Sequence, residues 1–377
     1  MKRILGAVVL LILGLASNPP STYAQELLRI VIPSKVLNEE RSVVVRVPAG
    51  YRDPTAKFPV LYMLDGHEPA LTMMAGILGH QAFAGRSPEM ILVGIQNTNR
   101  TRDLTPTKTD RAGSGGGDKF LEFLSTEVIP MIEKSYRTHP YRVFAGHSLG
   151  GLTVFHAATS KPDLFNAYIA ASPVLHWDKG FVVKRTEEFL KTNSKQKKPL
   201  FVALGAEPDY VQGFNSMKDL LKKSGSGAFD YEMHVWNDED HGSIVLRAYL
   251  FGLRKVYSGW PPPAEGTVGD IESHYKDLSR KYGYDILPPE TLMNQVGYTL
   301  LRQNNFADAL RVFMRNVELY PNSANVYDSL AEALEKNGSR DQAKKNYEKA
   351  FRLAEQQGNT ELAKIFKASF DRLSTPD

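Results

Sequence analysis

Ser148 stands in the run Gly146-His147-Ser148-Leu149-Gly150, with a further glycine at Gly151. A serine flanked by glycines two residues away on each side suits a tight strand-to-helix turn. Missing side chains let the backbone pass close to its neighbours, and the turn holds the hydroxyl clear of them. The chemistry open to such a serine is attack on a carbonyl carbon and transfer of the acyl group. It needs a base to take the hydroxyl proton, an acid to orient that base, and donors for the oxyanion.

The chain offers nine histidines as bases. His241 follows an apolar run and the acidic turn Asn237-Asp238-Glu239-Asp240, and precedes Gly242-Ser243 and an amphipathic stretch over 244–256. A loop after the last strand is where the base belongs, so His241 is the candidate. His234 lies inside a strand and reads as packed. His147 reads as packing beside the serine turn. His139, His156 and His274 read as surface or helix residues. The acid should follow the preceding strand, where the loop 205–210 contains Glu207 and Asp209. Glu207 is favoured because it lies closer to the strand end, and Asp209 is the alternative. Asp238, Asp240 or a serine–histidine pair without an acid stay open. The oxyanion donors expected are the backbone N–H groups of Leu149 and of His67, the latter in Leu64-Asp65-Gly66-His67. Gly66 would let that loop bend toward substrate, and Asp65 reads as a loop-fixing residue.

These groups need a scaffold. Apolar β-type runs occur at 27–33, 42–48, 59–64, 90–95, 142–145, 167–171, 200–204 and 231–236, separated by amphipathic helical stretches. The later runs are continuous and apolar, as for strands covered on both faces. A short polar connection, 34–41, joins the first two and suits an antiparallel start. Eight strands with helices between them predict the α/β-hydrolase fold, a mostly parallel eight-stranded sheet with helices on both faces. Arg100, Arg102 and Asp103 follow the fourth strand, at the catalytic end of such a sheet. Arg100 is a candidate to hold an anionic or catecholate group, whereas Asp103 reads as pinning its loop. Trp177, after Ser172-Pro173, either lines the pocket or packs in the core. The glycine-rich run 113–117 reads as a loop, since no Lys-Ser/Thr follows it to cradle phosphate.

Lys2 and Arg3, an apolar stretch over 4–15 and Thr22-Tyr23-Ala24 form the pattern of a secretory signal peptide, 1–24. The apolar stretch is short for a bilayer, so no stable membrane insertion is expected after cleavage, and the protein is expected in a bacterial periplasm or outside the cell. The sequence has no cysteine, which excludes disulfides, thiolate zinc sites, a cysteine nucleophile and lipoprotein processing. Of its 46 Lys and Arg, two lie in the leader; the remaining 44 nearly balance 42 Asp and Glu, so bulk charge offers nothing to nucleic acid. Neither a metal nor an organic cofactor is implied.

Prolines at 261–263 break the α/β pattern at a linker, and the chain beyond reads as helical. A shift of 34 residues aligns Ala309 with Ala343, Phe313 with Tyr347 and Leu300 with Leu334. Thirty-four is the tetratricopeptide period. Asn316 departs from that pattern, and 360–373 would cap the last repeat. The organisation expected is an α/β-hydrolase domain over 25–259, a proline-rich linker with a connecting helix over 260–289, and two repeats with a capping helix over 290–377. Two repeats are marginal alone, so they are expected to lean on the first domain through 271–284. The tail is a candidate surface for a protein partner or a homodimer.

Taken together, "LYMLDGHEP", "VGIQNTNRTRDLTPT", "FAGHSLGGL", "ASPVLHWD" and "DEDHGS" resemble the putative-esterase family of α/β-hydrolases over about 27–257. That family includes ferric-enterobactin esterases, feruloyl esterases and mycolyltransferases. The resemblance implies Ser148 and His241 as catalytic residues and an oxyanion donor just after Asp65-Gly66. Siderophore esterases of the group can lack an obvious third triad member, which leaves the acid open. The helical tail departs from the better-known members. The reading is an exported serine esterase acting on a siderophore-like or other aromatic or short-chain acyl ester. An acyltransferase on the same site, or a binding protein whose repeats carry the function, are the alternatives.

Overall fold

In the computed structural model, residues 27–193, 197–225, 227–263 and 267–374 are described. The expected signal peptide, and residues 264–266 of the proline-rich segment, lie outside them. Each apolar run forms a strand: β1 (Leu28–Ser34), β2 (Glu39–Arg46), β3 (Phe58–Met63), β4 (Ile91–Ile95), β5 (Thr138–His147), β6 (Ala167–Ala171), β7 (Lys198–Leu204) and β8 (Phe229–Val235). They build one sheet in the order β1-β2-β4-β3-β5-β6-β7-β8. The sheet is mixed. β2 runs antiparallel to both β1 and β4, and the pairs from β4 through β3 to β8 are parallel. The connection between β1 and β2 is tighter than the polar run suggested, turning at Asn38 with φ 53°.

The period-two alternation of a strand sorts the core into two layers. Val60 and Tyr62 of β3, Phe144 of β5, and Tyr168 and Ala170 of β6 face one layer. Leu61 and Met63, Val143 and Ala145, and Ile169 and Ala171 face the other. Helices α1 (Glu68–Phe83), α2 (Arg100–Asp103), α3 (Gly117–Phe123), α4 (Ile129–Ser135), α5 (Leu149–Ser160), α6 (Trp177–Thr192), α7 (Pro208–Lys223) and α8 (Ile244–Val256) fill the connections. Helices α3 to α7 cover the first layer and α1 and α8 the second. In α5 every residue from 149 to 159 is buried, as its nearly all-apolar sequence requires. The glycine-rich run ends by starting α3, with Gly117 buried against Thr105 and Pro106.

Past the prolines, α9 (Val268–Tyr282) opens with a reciprocal Thr267–Asp270 capping box and stops at Gly283, whose φ of 75° is left-handed. Its stripe Ile271, Tyr275, Leu278 and Tyr282 joins the second layer, together with Met293 and Val312. Those two belong to α10 (Glu290–Arg302) and α11 (Phe306–Leu319), which are followed by α12 (Ala324–Lys336), α13 (Arg340–Gln356) and α14 (Thr360–Ser374). Residues 34 apart hold matching places here: Ala309, Phe313, Ala343 and Tyr347 are all buried in one cluster. Asn316, the departure from the repeat, is buried and donates to Asn294 and the Glu290 carbonyl.

An aromatic cluster fastens this tail to the sheet. Tyr282 packs on Tyr141 at 5.0 Å, Tyr257 at 5.3 Å and Trp260 at 5.5 Å, and its hydroxyl donates to the Val256 carbonyl. His139 stacks on Tyr284 at 3.8 Å; it lies in β5, not on a helix. These contacts sit at the start of β5, seven residues and about 23 Å of strand away from Ser148. Tyr282→Ala should lower the unfolding free energy by about 3–5 kcal/mol through the cavity it leaves. Leu287→Ala, at a side chain 49% exposed, should change it by less than about 0.5 kcal/mol. Urea denaturation of the two variants checks the contrast.

Candidate active site

Strand β5 runs straight into the Ser148 turn and α5 leaves it. Ser148 has φ 60° and ψ −117°, a conformation strained for a residue with a Cβ. Close packing leaves the turn no other path. A Cβ on Gly146 would lie 2.4 Å from the Gly150 backbone, and one on Gly151 would lie 2.9 Å from Pro173. The Ser148 N–H donates to the Ala171 carbonyl at 2.9 Å, and its carbonyl accepts from Leu152 at 3.0 Å and Val174 at 3.3 Å. Leu149 is the first residue of α5, where an N–H has no intrahelical acceptor and the helix dipole favours negative charge.

His241 stands in the β8–α8 loop, with its Nδ1 2.5 Å from Glu207 Oε2. An ionised carboxylate can only accept, so Nδ1 carries the proton and Nε2 is left with the lone pair of a base. Glu207 is buried at the end of β7, and its Oε1 accepts from the Ser172 hydroxyl and from the Gly205 N–H at 3.0 Å. Asp209 is exposed in the first turn of α7. Asp240 caps its own loop by accepting from Gly242 and Ser243, and Asp238 pairs with Arg247. Glu207 is therefore the carboxylate that meets the imidazole. The two loops are joined by the Ala206 N–H, which donates to the Glu239 carbonyl at 2.7 Å. A Cβ on Gly205 would lie 2.7 Å from that same carbonyl oxygen.

Arg100 turns inward. Its Nε and Nη2 grip Asp65 at 2.6 and 2.9 Å, and Nη2 also donates to the His147 carbonyl at 3.3 Å. Burial works to raise the Asp65 carboxyl, but the Arg100 hydrogen bonds and charge, helped by Asn97, outweigh it and hold it below its ordinary value. Arg100 thus braces the β3–α1 loop against the serine turn. Its α2 is anchored in turn by Asp103, fully buried and 2.5 Å from the buried Arg41, which lies against the rings of Phe120 and Phe123. The His67 N–H donates to the Asp65 carbonyl at 2.8 Å, so it already has an acceptor in this structure. Gly66 allows the approach of this loop: a Cβ there would lie 2.5 Å from Gly94. Trp177 is buried in the core, where its indole N–H donates to Thr107. Packing, rather than exposure in a cleft, is its place.

Three residues at the site carried no catalytic signal in the sequence. Ser172, buried and left-handed at φ 40°, holds Glu207. Tyr210 places its ring 5.1 Å from that of His241 and 5.0 Å from that of His176. His147 puts Nε2 2.7 Å from the His241 carbonyl, with the two rings 4.5 Å apart. All three stand at or just past the C-terminal ends of parallel strands, where loops distant in sequence converge, and that position was the one available clue. Of the other histidines, His156 is buried against Asp118 and Ser160, His274 meets the Trp260 carbonyl, and His234 is exposed on edge strand β8 between Phe201 and Trp236. Among the described residues, no group of three or more His, Asp or Glu is placed to hold a metal ion.

A family model described as "Putative esterase" matches residues 34–225. The chain is 33% identical over 178 residues to the ferri-bacillibactin esterase BesA of Bacillus subtilis, a match spanning 41% of this chain and 60% of that protein. It is 36% identical over 244 residues to the siderophore enterobactin esterase of Emericella nidulans, spanning 51% of this chain and 80% of that one. Its fold is similar to that of an IroE-like serine hydrolase from Shewanella oneidensis, with a TM-score of 0.69 and 26% identity over 78% of this chain and 100% of that chain.

Burial, and next the charge of His241, push the His147 imidazole down from 6.5 to about 4. The unfolded chain therefore takes up this proton first as pH falls. The stability tied to His147 is complete above pH 6.5 and is lost between there and about pH 4. Between pH 7 and pH 5 that loss should amount to about 1–2 kcal/mol. His147→Gln should shrink the difference between urea unfolding free energies measured at the two pH values.

Proposed function

The chain belongs to this esterase family, whose model spans about half of it, and from that premise we propose that it is an exported serine esterase with Ser148, His241 and Glu207 as its triad. The observation that carries the reading is Glu207 holding His241 Nδ1 beside a strained Gly-x-Ser-x-Gly turn. Ser148 Oγ attacks the ester carbonyl carbon while His241 Nε2 takes its proton. The negative charge that develops on the carbonyl oxygen is met by the Leu149 N–H, and by the His67 N–H once it exchanges the Asp65 carbonyl for that oxygen. His241 then returns the proton to the leaving alcohol, and an acyl-enzyme remains. Water, deprotonated by His241, releases the acid and restores the serine. Glu207 fixes the tautomer and offsets the imidazolium charge in both steps.

For substrate we propose a siderophore-like ester or another aromatic or short-chain acyl ester. Support comes from the relatives named as esterases of ferri-bacillibactin and of siderophore enterobactin. Residues 1–24 are proposed to direct export; among the described residues no helix is long and apolar enough to cross a membrane. The domain boundaries proposed are 25–259 for the esterase, 260–289 for the connection and 290–377 for two tetratricopeptide repeats with a cap. The matched burial of Ala309 with Ala343 and of Phe313 with Tyr347 supports the repeats. The connecting helix that leads into them docks at the far end of β5, which favours a role in holding a partner or second copy over a role in roofing Ser148.

Hydrolysis of p-nitrophenyl butyrate tests the assignment. Ser148→Ala should lower turnover by at least about a thousandfold, and Glu207→Gln by about a hundredfold or more, with both variants folded. Equal rates for Ser148→Ala and the wild type overturn the nucleophile. A fluorophosphonate should label the wild type and not Ser148→Ala. Product analysis with added alcohols separates the acyltransferase reading, since only that enzyme would yield new esters in preference to free acid.

A further inference from the structure

We propose that His147 is a positioning residue of this site, whose Nε2–H holds the His241 backbone, and with it the general base, against the nucleophile turn. The inference rests on the roles proposed for Ser148 and His241. The Glu207 hydrogen bond orients the His241 ring from one side, but it ties the ring to the β7–α7 loop and not to the serine. The neighbouring hydrogen bonds of Asp240 are local to the β8–α8 loop itself. A contact that couples base to nucleophile must come from the nucleophile's own turn. His147 supplies one from the residue immediately before Ser148: Nε2 lies 2.7 Å from the His241 carbonyl oxygen. That oxygen can only accept, so Nε2 carries the proton and the ring is a donor there.

The surroundings of His147 keep it in this role. From the β3–α1 loop it faces Asp65, from α2 it faces Arg100, and from the β8–α8 loop it faces His241. Asp65 is held in a bidentate pair by Arg100, so its negative charge is largely answered before it reaches the imidazole. Arg100 also donates to the His147 carbonyl, fixing the residue from below while its ring reaches up to His241. Burial keeps the ring neutral at ordinary pH. Neutrality matters: His241 becomes cationic during acylation, and a second cation 4.5 Å away would oppose it. The path Asp65–Arg100–His147–His241, a side-chain ion pair followed by contacts to the His147 and His241 carbonyls, thus braces the base independently of the acid. Misplacing a base by about 1 Å can cost on the order of a hundredfold in rate.

Two measurements test this. In p-nitrophenyl butyrate hydrolysis by the full chain, His147→Leu keeps the bulk and removes the donor. It should lower kcat by about ten- to a hundredfold with KM within about twofold. His147→Gln can still present an N–H to the carbonyl and should recover most of that loss. A His147→Leu kcat equal to wild type, or equal losses in folded Leu and Gln variants, overturns the proposal. The second measurement needs no active variant. In 15N-histidine NMR of the wild type, with His147 assigned by its absence from His147→Gln, the Nε2–H tautomer should be seen at pH 7. An Nδ1–H tautomer or a charged ring at that pH overturns the donor role. Should Ser148→Ala or His241→Ala turn over as fast as wild type, the esterase assignment fails instead, and the tautomer result stands apart from it.

Discussion

The backbone of Ser148 is the constraint on which the rest of this architecture depends. A residue with a Cβ at φ 60° and ψ −117° costs of order 1–3 kcal/mol and persists only where its surroundings over-determine it. Here they do. Gly146 and Gly150 touch backbone to backbone, Gly151 touches Pro173, and hydrogen bonds to Ala171, Leu152 and Val174 hold the peptide groups on both sides of Ser148. Those anchors lie in β5, β6, α5 and the buried loop that follows β6, so the strain is carried by the core.

Around that turn, loops from five other strand ends close like the staves of a ring. The β3–α1 loop enters through Asp65, the segment after β4 through Arg100, the end of β6 through Ser172, the β7–α7 loop through Glu207 and the β8–α8 loop through His241. Hydrogen bonds between groups far apart in sequence tie Asp65 to Arg100, Ser172 to Glu207 and Glu207 to His241, while Arg100 and His241 each meet His147 of the turn itself. Glu207 shows the logic. A buried carboxylate is costly unless its lone pairs are filled, and three donors, from Ser172, Gly205 and His241, fill them. The same bonds that satisfy the charge fix the direction of the imidazole.

The opposite end of the sheet has a different character. There Tyr141, Tyr257, Tyr282 and Trp260 form an apolar joint, with His139 stacked on Tyr284 beside it. The stripe on α9 continues the core of the second layer into α10 and α11, so the helical tail adds to the same hydrophobic body. Its attachment is apolar and aromatic, and the strand-end loops around Ser148 are polar. One sheet thereby separates docking from the candidate chemistry along the length of β5.

Much of this was legible along the chain because the signals are local. Apolar runs mark strands wherever both faces are covered, and the serine with its flanking glycines marks the turn. What stayed illegible depends on which loops meet. Glu207 and Asp209 are two residues apart, and nearness to the strand end favours Glu207 without excluding Asp209; in the fold one side chain is buried under His241 and the other points to solvent at the start of α7. Arg100 read as a possible ligand for an anion, and the anion it holds is Asp65. Ser172 and His147 bear no mark of their contacts, since those partners lie 35 and 94 residues away. Local sequence settled the strands and the strained serine turn, because backbone sterics and the alternation of apolar side chains act over a few residues. The pairing of acid with base, the second histidine and the end of the sheet on which the tail docks were decided by tertiary structure, because they depend on which distant loops the closed sheet brings within hydrogen-bonding reach.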